Sequence, residues 1–434
     1  MGPVNIGVVG LGTVGAGTVQ VLQKNGVEIS RRAGREIRVT HAAVRNLESR
    51  RACSLEDIEL TVDAMSLVHN QDIDVVLELM GGCEHAYDIV ISALRQKKHV
   101  VTANKALIAT KGNEIFDEAS KQGLVVAFEA AVAGGIPIIK AIRESFSGNK
   151  IENVEGILNG TCNYILSEIS DRGCDYDEVL AVAQDLGYAE TDPYFDVEGI
   201  DAAHKLTILA SIAYGTHLNF ESIHVEGISN ITHADISYAR ELGYRVKHLG
   251  IARRQNDALD LRVHPCLLAS DQILANVCGV MNAVKVNGDA VGETLFYGAG
   301  AGAGPTASAV VADLVDVVRT LTSDPFNRVP HLAFQPSELS SFAVTPIEDT
   351  VTAQYLRLTV VDKPGVLGDV TKILGDEGVS IRAIRQKERH MDASAVPVVI
   401  VTHQVREGSL NRAIAEIESL AISVAPIVRI RLEE

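Results

Sequence analysis

The sequence predicts an α/β protein built from three parts. In residues 1–130, strand-like and helix-like segments alternate, which is typical of a parallel sheet covered by helices. Residues 131–305 mix strands and helices without that alternation and predict a separate α+β domain. After a Pro-rich connection at 323–350, residues 351–434 follow the order β-α-β-β-α-β. A strongly apolar helix at 306–322 is expected to return to the first domain.

The N-terminus carries the clearest motif. A short apolar strand at Ile6–Val9 ends in a glycine turn, and a helix-compatible stretch follows. Such glycines let the backbone approach a pyrophosphate, and the new helix offers its unpaired N–H groups to that anion. The motif predicts a dinucleotide-binding turn made by Gly10, Gly12, Thr13, Val14 and Gly15. An ordinary glycine-rich turn is the alternative interpretation.

Four further strands are expected in the first domain, at Val39–Val44, Val75–Leu79, His99–Thr102 and Val125–Phe128. Arg45 follows the first of these, where NAD-specific folds place an acidic residue for the ribose hydroxyl. An arginine at this position favours the 2′-phosphate of NADP. NAD as cofactor, or Arg45 as part of a solvated basic turn, remain the alternatives.

The composition excludes several classes of protein. The chain has 434 residues, with 39 basic and 56 acidic side chains and a net charge of −17, which disfavours binding to nucleic acid or to anionic membranes. No apolar stretch is long enough to span a bilayer, and no signal peptide is expected. The six cysteines are scattered without metal-binding spacing, as expected for reduced thiols of a cytoplasmic protein.

Two segments carry candidate catalytic groups. Lys105 lies three residues after Thr102, the last residue of the predicted strand His99–Thr102, at the edge of the sheet where ligands bind in doubly wound folds. Farther along, Asp201 and Lys205 are four residues apart and share one face of an apolar helix predicted at Ile200–Ala213. A buried lysine needs a carboxylate partner, and such a lysine can donate a proton. A surface ion pair is the alternative.

These residues belong to motifs that resemble homoserine dehydrogenase in its form with a C-terminal ACT domain. The glycine turn comes first, and six further motifs follow in the expected order. They are Glu78-Leu79-Met80-Gly81-Gly82, Thr102-Ala103-Asn104-Lys105, Glu129 to Pro137, Asn159-Gly160-Thr161-Cys162-Asn163-Tyr164, Gly187 to Lys205, and Tyr297 to Thr306. The resemblance implies a Rossmann-type first domain, a central domain for catalysis and dimerisation, and a ferredoxin-like ACT domain.

The resemblance also implies the reaction and its residues. The enzyme would reduce L-aspartate 4-semialdehyde to L-homoserine with NAD(P)H, reversibly, in threonine, methionine and isoleucine biosynthesis. Lys205 would donate the proton, Asp201 would hold and tune it, and Lys105 would lie between nicotinamide and substrate. Glu190 and Asp196 would bind the substrate.

Further ligands follow from the same resemblance. Gly302, in the second glycine cluster, would contact the cofactor. A sodium-like cation would be bound by the Glu129 side chain and by the backbone of Val132, Gly134 and Ile136. The ACT domain would bind an amino-acid effector, with L-threonine as the natural candidate, in a homodimer or homotetramer. A purely structural ACT domain is the alternative.

One position departs from the family pattern, because Cys162 stands where threonine is more common. Two alternative functions remain. One is a related oxidoreductase that acts on another amino-acid carbonyl. The other is a non-enzymatic amino-acid sensor, which the presence of Lys105, Glu190, Asp201 and Lys205 disfavours.

Overall fold

The computed structural model describes residues 2–325, 328–386 and 395–433. Residues 1, 326–327, 387–394 and 434, which fall within the predicted 1–130, 323–350 and 351–434 ranges, lie outside the described residues. The eighteen described strands are β1 Val4–Val9, β2 Ile37–Ala43, β3 Glu59–Thr61, β4 Val75–Glu78, β5 His99–Thr102, β6 Val126–Ala127, β7 Ile151–Ile157, β8 His224–Val225, β9 Tyr244–Gln255, β10 Ala258–Ala269, β11 Met281–Gly288, β12 Gly292–Ala299, β13 Ala343–Val344, β14 Val351–Val361, β15 Ile381–Gln386, β16 Ala395–Thr402, β17 Val405–Arg406 and β18 Ser423–Glu433.

The described α-helices lie between these strands, singly or in succession. They are α1 Thr13–Ala33, α2 Ala64–His69, α3 Glu84–Arg95, α4 Lys105–Gln122, α5 Ile138–Lys140, α6 Gly160–Arg172, α7 Tyr176–Asp185, α8 Tyr194–Val197, α9 Ile200–Tyr214, α10 His233–Glu241, α11 Ala303–Thr320, α12 Val366–Asp376 and α13 Glu407–Ser419. Among the helices described, none is both long enough and apolar enough to cross a membrane.

Contacts between residues divide the chain into two compact units. The first contains Met1–Gly160, Asp201–Ile223 and Met281–Phe342, and the second contains Thr161–Ile200, His224–Val280 and Ala343–Glu434.

A six-stranded parallel sheet forms the centre of the first unit. Its strand order is β3-β2-β1-β4-β5-β6, and every neighbouring pair is parallel. The central strands β4 and β5 are fully buried, which explains the consecutive apolar residues Val75–Leu77 in β4 and Val100–Val101 in β5. This arrangement confirms the predicted parallel sheet. The expected strand at Val125–Phe128 is reduced to two residues in β6, because Glu129 already begins a short 3₁₀ turn.

Two helices, α1 and α11, pack on each other beside this sheet. The helix predicted at 306–322 begins earlier, at Ala303, and forms α11 with Pro305 in its first turn, where proline is tolerated. Its apolar face joins α1 and the sheet in one hydrophobic core. Gly17 of α1 lies so close to α11 that a Cβ there would be 2.7 Å from the Ala303 carbonyl oxygen.

The first unit also contains the antiparallel strands β12, β11 and β7, in that order. The register pairs Ala283 of β11 with Ile157 of β7. Helix α9 belongs to the same unit, and its residues from Asp201 to Tyr214 are all buried. The nearly continuous apolar sequence of this helix predicted that burial.

The second unit is organised around a mixed sheet with strand order β9-β10-β18-β14-β16-β15. The last four strands, with α12 and α13, form the predicted β-α-β-β-α-β module and enclose their own apolar core. Strand β18 also pairs in parallel with β10. The C-terminal module therefore shares one sheet with the rest of the second unit.

Two glycines of α1 provide a test of the glycine turn. A Cβ at Gly15 would collide with the Gly10 carbonyl oxygen, whereas a Cβ at Gly26 has nothing within 4 Å. We expect Gly15→Ala to lower the free energy of unfolding by about 1–3 kcal/mol, as overpacking does. Gly26→Ala should raise it by about 0.5–1 kcal/mol because alanine is the better helix former. Urea unfolding of both variants measures the difference, and equal effects would contradict the close packing.

Candidate active site

Three charged side chains meet where α4 and α9 begin. The Asp201 carboxylate lies between two ammonium groups, with its Oδ2 atom 2.7 Å from Lys205 Nζ and its Oδ1 atom 3.0 Å from Lys105 Nζ. Asn159 also donates a hydrogen bond from Nδ2 to Asp201 Oδ2 at 2.8 Å. The structure therefore brings together all three of the residues for which a catalytic role was predicted.

The environment keeps Asp201 ionised. Burial by itself would raise the pKa of Asp201, but the charges of Lys205 and Lys105 and the hydrogen bonds from Lys205 and Asn159 outweigh it, so the pKa lies well below its usual range. The carboxylate is thus an acceptor at any physiological pH. It can orient an ammonium group without competing for its proton.

Lys205 is held in a defined direction. Its side chain is 11% exposed, and Nζ donates to Asp201 Oδ2 and to the Leu158 carbonyl oxygen, both at 2.7 Å. A lysine ammonium has three N–H donors. Among the described residues, Asp201 and Leu158 are the hydrogen-bond partners of Lys205 Nζ, which leaves one donor for another acceptor.

The elements around the ammonium groups explain this placement. Lys105 is the first residue of α4, and Asn104 caps that helix by accepting from the Leu107 N–H. The Asp201–Lys205 pair spans one turn of the buried helix α9, as its spacing predicted. The neighbouring His204 ring packs on Phe220 with ring centroids 4.5 Å apart, and burial lowers its pKa.

The glycine turn has the shape that a pyrophosphate requires. Gly10 has a φ of +99°, and a Cβ there would be 2.7 Å from the Leu79 carbonyl oxygen. Gly12 precedes α1 without a side-chain cap, and a Cβ at this residue would meet nothing within 4 Å. The open backbone at Gly12, followed by Thr13 and Val14 in the first helical turn, fits an anionic ligand.

The other predicted cofactor residues lie on nearby elements. Arg45 is exposed just after β2 and has no hydrogen bond or ion pair with any part of the chain that the structure describes. Arg51, by contrast, donates to backbone carbonyls of its own turn, including that of Ser49 at 2.6 Å. Gly302 immediately precedes α11 with a φ of +118°, a conformation that suits glycine alone.

A buried acidic cluster surrounds Glu129. Its two carboxylate oxygens accept from the backbone N–H groups of Ile139 and Lys140 at 2.9 and 2.8 Å, and its own N–H donates to Asp313 Oδ2. Burial and the nearby Asp313 carboxylate raise the pKa of Glu129 to about 7. The Lys140 Nζ atom lies 3.5 Å from Asp313 Oδ1. The backbone of Val132, Gly134 and Ile136 follows directly, with Gly134 at a φ of +37°.

The two predicted substrate carboxylates lie in the second unit. Glu190 is exposed, and its carbonyl oxygen accepts from Gln184 Nε2 at 3.1 Å. Asp196 is half-buried, with Oδ2 3.5 Å from Thr161 Oγ1. The Cys162 thiol, at the position that departs from the family pattern, donates to the Asp196 carbonyl oxygen at 3.1 Å.

Sequence reasoning missed several groups that contact the site. Asn159 and Glu78 lie in the recognised motifs, but their spacing indicated no role. Glu78 ends β4 and accepts from the Met80 N–H at 3.0 Å and from Thr102 Oγ1 at 2.5 Å. The Leu158 carbonyl could not have been found, because a backbone acceptor has no side-chain signature.

One group of three possible metal ligands occurs among the described residues, His264, Cys266 and Glu433. The Glu433 carboxylate is already paired with Arg262 and Arg253, at 2.7 and 2.8 Å. Burial also raises the pKa of the Cys266 thiol well above its usual value. Two guanidinium groups beside a protonated thiol disfavour a cation, so we assign this cluster a structural role.

Glu78 yields a prediction about pH and stability. Burial raises its pKa to about 7 from 4.5, so the unfolded chain releases this proton first as pH rises. The contribution of protonated Glu78 to the free energy of unfolding is complete below pH 4.5 and is lost as pH approaches 7. Relative to the unsubstituted protein, Glu78→Gln should gain about 3 kcal/mol of unfolding free energy between those pH values. Urea unfolding at pH 4.5 and pH 7.5 measures this change, and a pH-independent difference would contradict it.

Comparisons with known proteins find relatives for each part of this chain. Residues 10–129 match the family model "Homoserine dehydrogenase, NAD binding domain", residues 137–315 match "Homoserine dehydrogenase", and residues 354–421 match "ACT domain". The homoserine dehydrogenase of Pseudomonas aeruginosa is 57% identical over the full length of both chains. That of Neisseria gonorrhoeae is 50% identical over 100% of this chain and 99% of its own.

A solved structure is also similar throughout. The crystal structure of a homoserine dehydrogenase from Thiobacillus denitrificans has a TM-score of 0.93 and 55% sequence identity, and the match covers 100% of this chain and 98% of that one. The NAD-binding sheet, the domain that contributes Asp201 and Lys205, and the ACT module are thus all shared with known relatives. The chain belongs to the homoserine dehydrogenase family of NAD(P)-dependent oxidoreductases, in the form that carries a C-terminal ACT domain.

Proposed function

We propose that this chain interconverts L-aspartate 4-semialdehyde and L-homoserine, and that Lys205 is its acid–base group. The observation that carries the proposal is the buried Lys205 ammonium, with two donors fixed by Asp201 and the Leu158 carbonyl. Its third donor is then available to an aldehyde oxygen. Hydride addition creates an alkoxide, which a positioned acid must neutralise.

The nicotinamide, when bound, supplies or accepts the hydride. Side chains of the protein carry out the proton transfer and stabilise the charge that develops. Lys205 donates a proton to the carbonyl oxygen during reduction and takes it back during oxidation. Asp201 keeps the ammonium aligned, and Lys105 contributes a second positive charge beside the developing alkoxide.

Substrate binding is assigned to Glu190 and Asp196. L-Aspartate 4-semialdehyde carries an ammonium group at its α-carbon, and carboxylates are the natural partners of that group. The support is their position in the carboxylate-rich run between Gly187 and Asp201. Thr161 and Cys162 hold the backbone of that run through hydrogen bonds to Tyr188 and Asp196.

NADP is the proposed cofactor. The turn from Gly10 to Gly15 would hold the pyrophosphate, Gly302 would let the backbone of the second glycine cluster approach the cofactor, and Lys105 would lie beside the nicotinamide. Arg45 supports the choice of NADP, because its exposed guanidinium lies at the end of β2, where the ribose is recognised in this fold. Guanidinium groups pair well with phosphate.

A monovalent cation is proposed beside Glu129. The buried Glu129 carboxylate, whose pKa burial and the Asp313 carboxylate raise to about 7, fits a hard cation that prefers oxygen ligands. Backbone oxygens of Val132, Gly134 and Ile136 would complete the set. This cation would organise the turn and takes no part in proton transfer.

Regulation is assigned to the ACT module. We propose a domain division of 1–130 with 306–322, 131–305, a 323–350 linker and a 351–434 regulatory domain, which the ranges of the family matches support. L-Threonine is the proposed effector because it is an end product of the pathway. We propose a cytoplasmic homodimer or homotetramer.

Lys205→Ala tests the acid–base assignment. Turnover with NADPH and L-aspartate 4-semialdehyde should fall at least about 100-fold, because general acid catalysis contributes that much. NADPH binding, measured by fluorescence titration, should remain. Lys111→Ala is the control, because Lys111 is a half-buried lysine farther along α4, and this variant should retain normal turnover. Normal turnover in Lys205→Ala would remove Lys205 from the mechanism.

Arg45→Asp tests the cofactor assignment. An acidic residue there should repel the 2′-phosphate and pair with the ribose hydroxyls of NAD instead. We expect the ratio of kcat/KM for NADPH over NADH to fall at least about tenfold, which corresponds to about 1.4 kcal/mol. Initial rates with both cofactors measure this ratio, and an unchanged ratio would place phosphate recognition elsewhere.

Full-length enzyme tests the effector assignment. Truncation is unsuitable because β18 of the ACT module pairs with β10. L-Threonine should raise KM or lower kcat, whereas L-valine, of the same shape but without the hydroxyl, should have a weaker effect. Lack of inhibition by threonine would leave the module with a structural role.

A further inference from the structure

The carbonyl that anchors Lys205 has a second hydrogen-bond donor. Asn282 on β11 donates from Nδ2 to the Leu158 carbonyl oxygen at 2.9 Å. The strand register explains this contact, because Ala283 pairs with Ile157 and therefore brings Asn282 beside Leu158. A carbonyl oxygen has two lone pairs, and Lys205 and Asn282 occupy both.

The amide oxygen of Asn282, by contrast, lowers the stability of the protein. Asn282 is 1% exposed, and its Oδ1 atom has no hydrogen-bond partner among the residues that the structure describes. Rotating the amide would not help, because Oδ1 would then face the Leu158 carbonyl oxygen. An unsatisfied buried acceptor costs about 1–3 kcal/mol. Leucine has the same branching without polar atoms, so packing alone does not require asparagine.

Asn282 also contacts the second glycine cluster. Gly300 packs directly on the amide, and a Cβ at Gly300 would collide with Asn282 Cγ. The cluster continues to Gly302, the proposed cofactor contact. Asn282 therefore lies between the proposed cofactor loop and the carbonyl that orients the proton donor.

We propose that Asn282 is a positioning residue that fixes the direction of the remaining Lys205 N–H. This inference rests on the proposed role of Lys205. By filling the second lone pair of the Leu158 oxygen, the amide keeps that oxygen where it must lie to hold one Lys205 donor. Without the amide, the carbonyl can tilt and the ammonium group rotates away from the aldehyde oxygen.

The test replaces the amide with a side chain of the same shape. Asn282→Leu should fold normally, since it removes the unsatisfied oxygen, and its thermal midpoint should equal or exceed that of the unsubstituted enzyme. We expect kcat to fall at least about tenfold, because small misplacements of a catalytic group are costly. KM for NADPH and for the semialdehyde should change less than about twofold.

The ratio of rates in H₂O and D₂O separates positioning from structural damage. If proton delivery becomes slower, the ratio for kcat should rise above that of the unsubstituted enzyme. Asn287→Leu is the matched control, because Asn287 lies on the same strand and donates to the Glu152 carboxylate at 2.9 Å. That variant should keep both kcat and the ratio.

Each outcome is decisive. An unchanged kcat and isotope ratio in Asn282→Leu would overturn the inference, as would a lower kcat accompanied by a lower thermal midpoint and an unchanged ratio. Asn282→Ala is measured in the same way if the leucine variant does not fold. Normal turnover in Lys205→Ala would instead refute the acid–base role of Lys205 on which this inference rests, whichever result Asn282 gives.

Discussion

The active site depends on one buried carboxylate held between two ammonium groups. Asp201 is almost fully buried, and its ion pairs with Lys205 and Lys105 compensate for the loss of water around it. Removing one member of a buried pair typically costs about 3–5 kcal/mol, because the remaining charge is left without a partner. The same interaction that keeps α4 and α9 together therefore also sets the direction of the proton donor. Stability and chemistry share these residues, so substitutions here must be tested for folding as well as for rate.

Backbone geometry completes the site. Lys205 is anchored by a main-chain oxygen, the turn at Gly10 is open because glycine adopts a φ of +99°, and Gly302 starts α11 from a similarly restricted conformation. These features cannot be replaced by other side chains. They explain why glycines lie on both sides of the predicted cofactor site. Helix α11 also lies so close to α1 that a Cβ at Gly17 would be 2.7 Å from the Ala303 carbonyl oxygen. The Arg45 guanidinium after β2 and the unpaired N–H groups at the start of α1 are positively charged or partly so, and both favour an anionic ligand.

Local sequence patterns predict much of this architecture. The alternation of strands and helices predicted the parallel sheet, and the four-residue spacing of Asp201 and Lys205 predicted their ion pair, because both depend on nearby residues only. The exact ends of elements were less predictable. The sequence pattern predicts strands only at His248–Arg253 and Leu261–Leu267, whereas β9 and β10 are each twelve residues long because they pair with each other along their full length. Asn282 and Leu158 meet only through strand register across 124 positions, and no local pattern contains that information. Local sequence patterns could not predict the pairing of β18 with β10 for the same reason.

The central claim is that an ammonium group at the position of Lys205 delivers the proton. Chemical rescue of Lys205→Ala by small amines tests this claim most directly, because a primary alkylammonium can occupy the space left by the side chain. We predict that methylammonium restores turnover in proportion to its concentration, and that tetramethylammonium, which has no N–H donor, does not. Equal rates with both ions, or no rescue by any primary amine in a variant that still binds NADPH, would contradict the account.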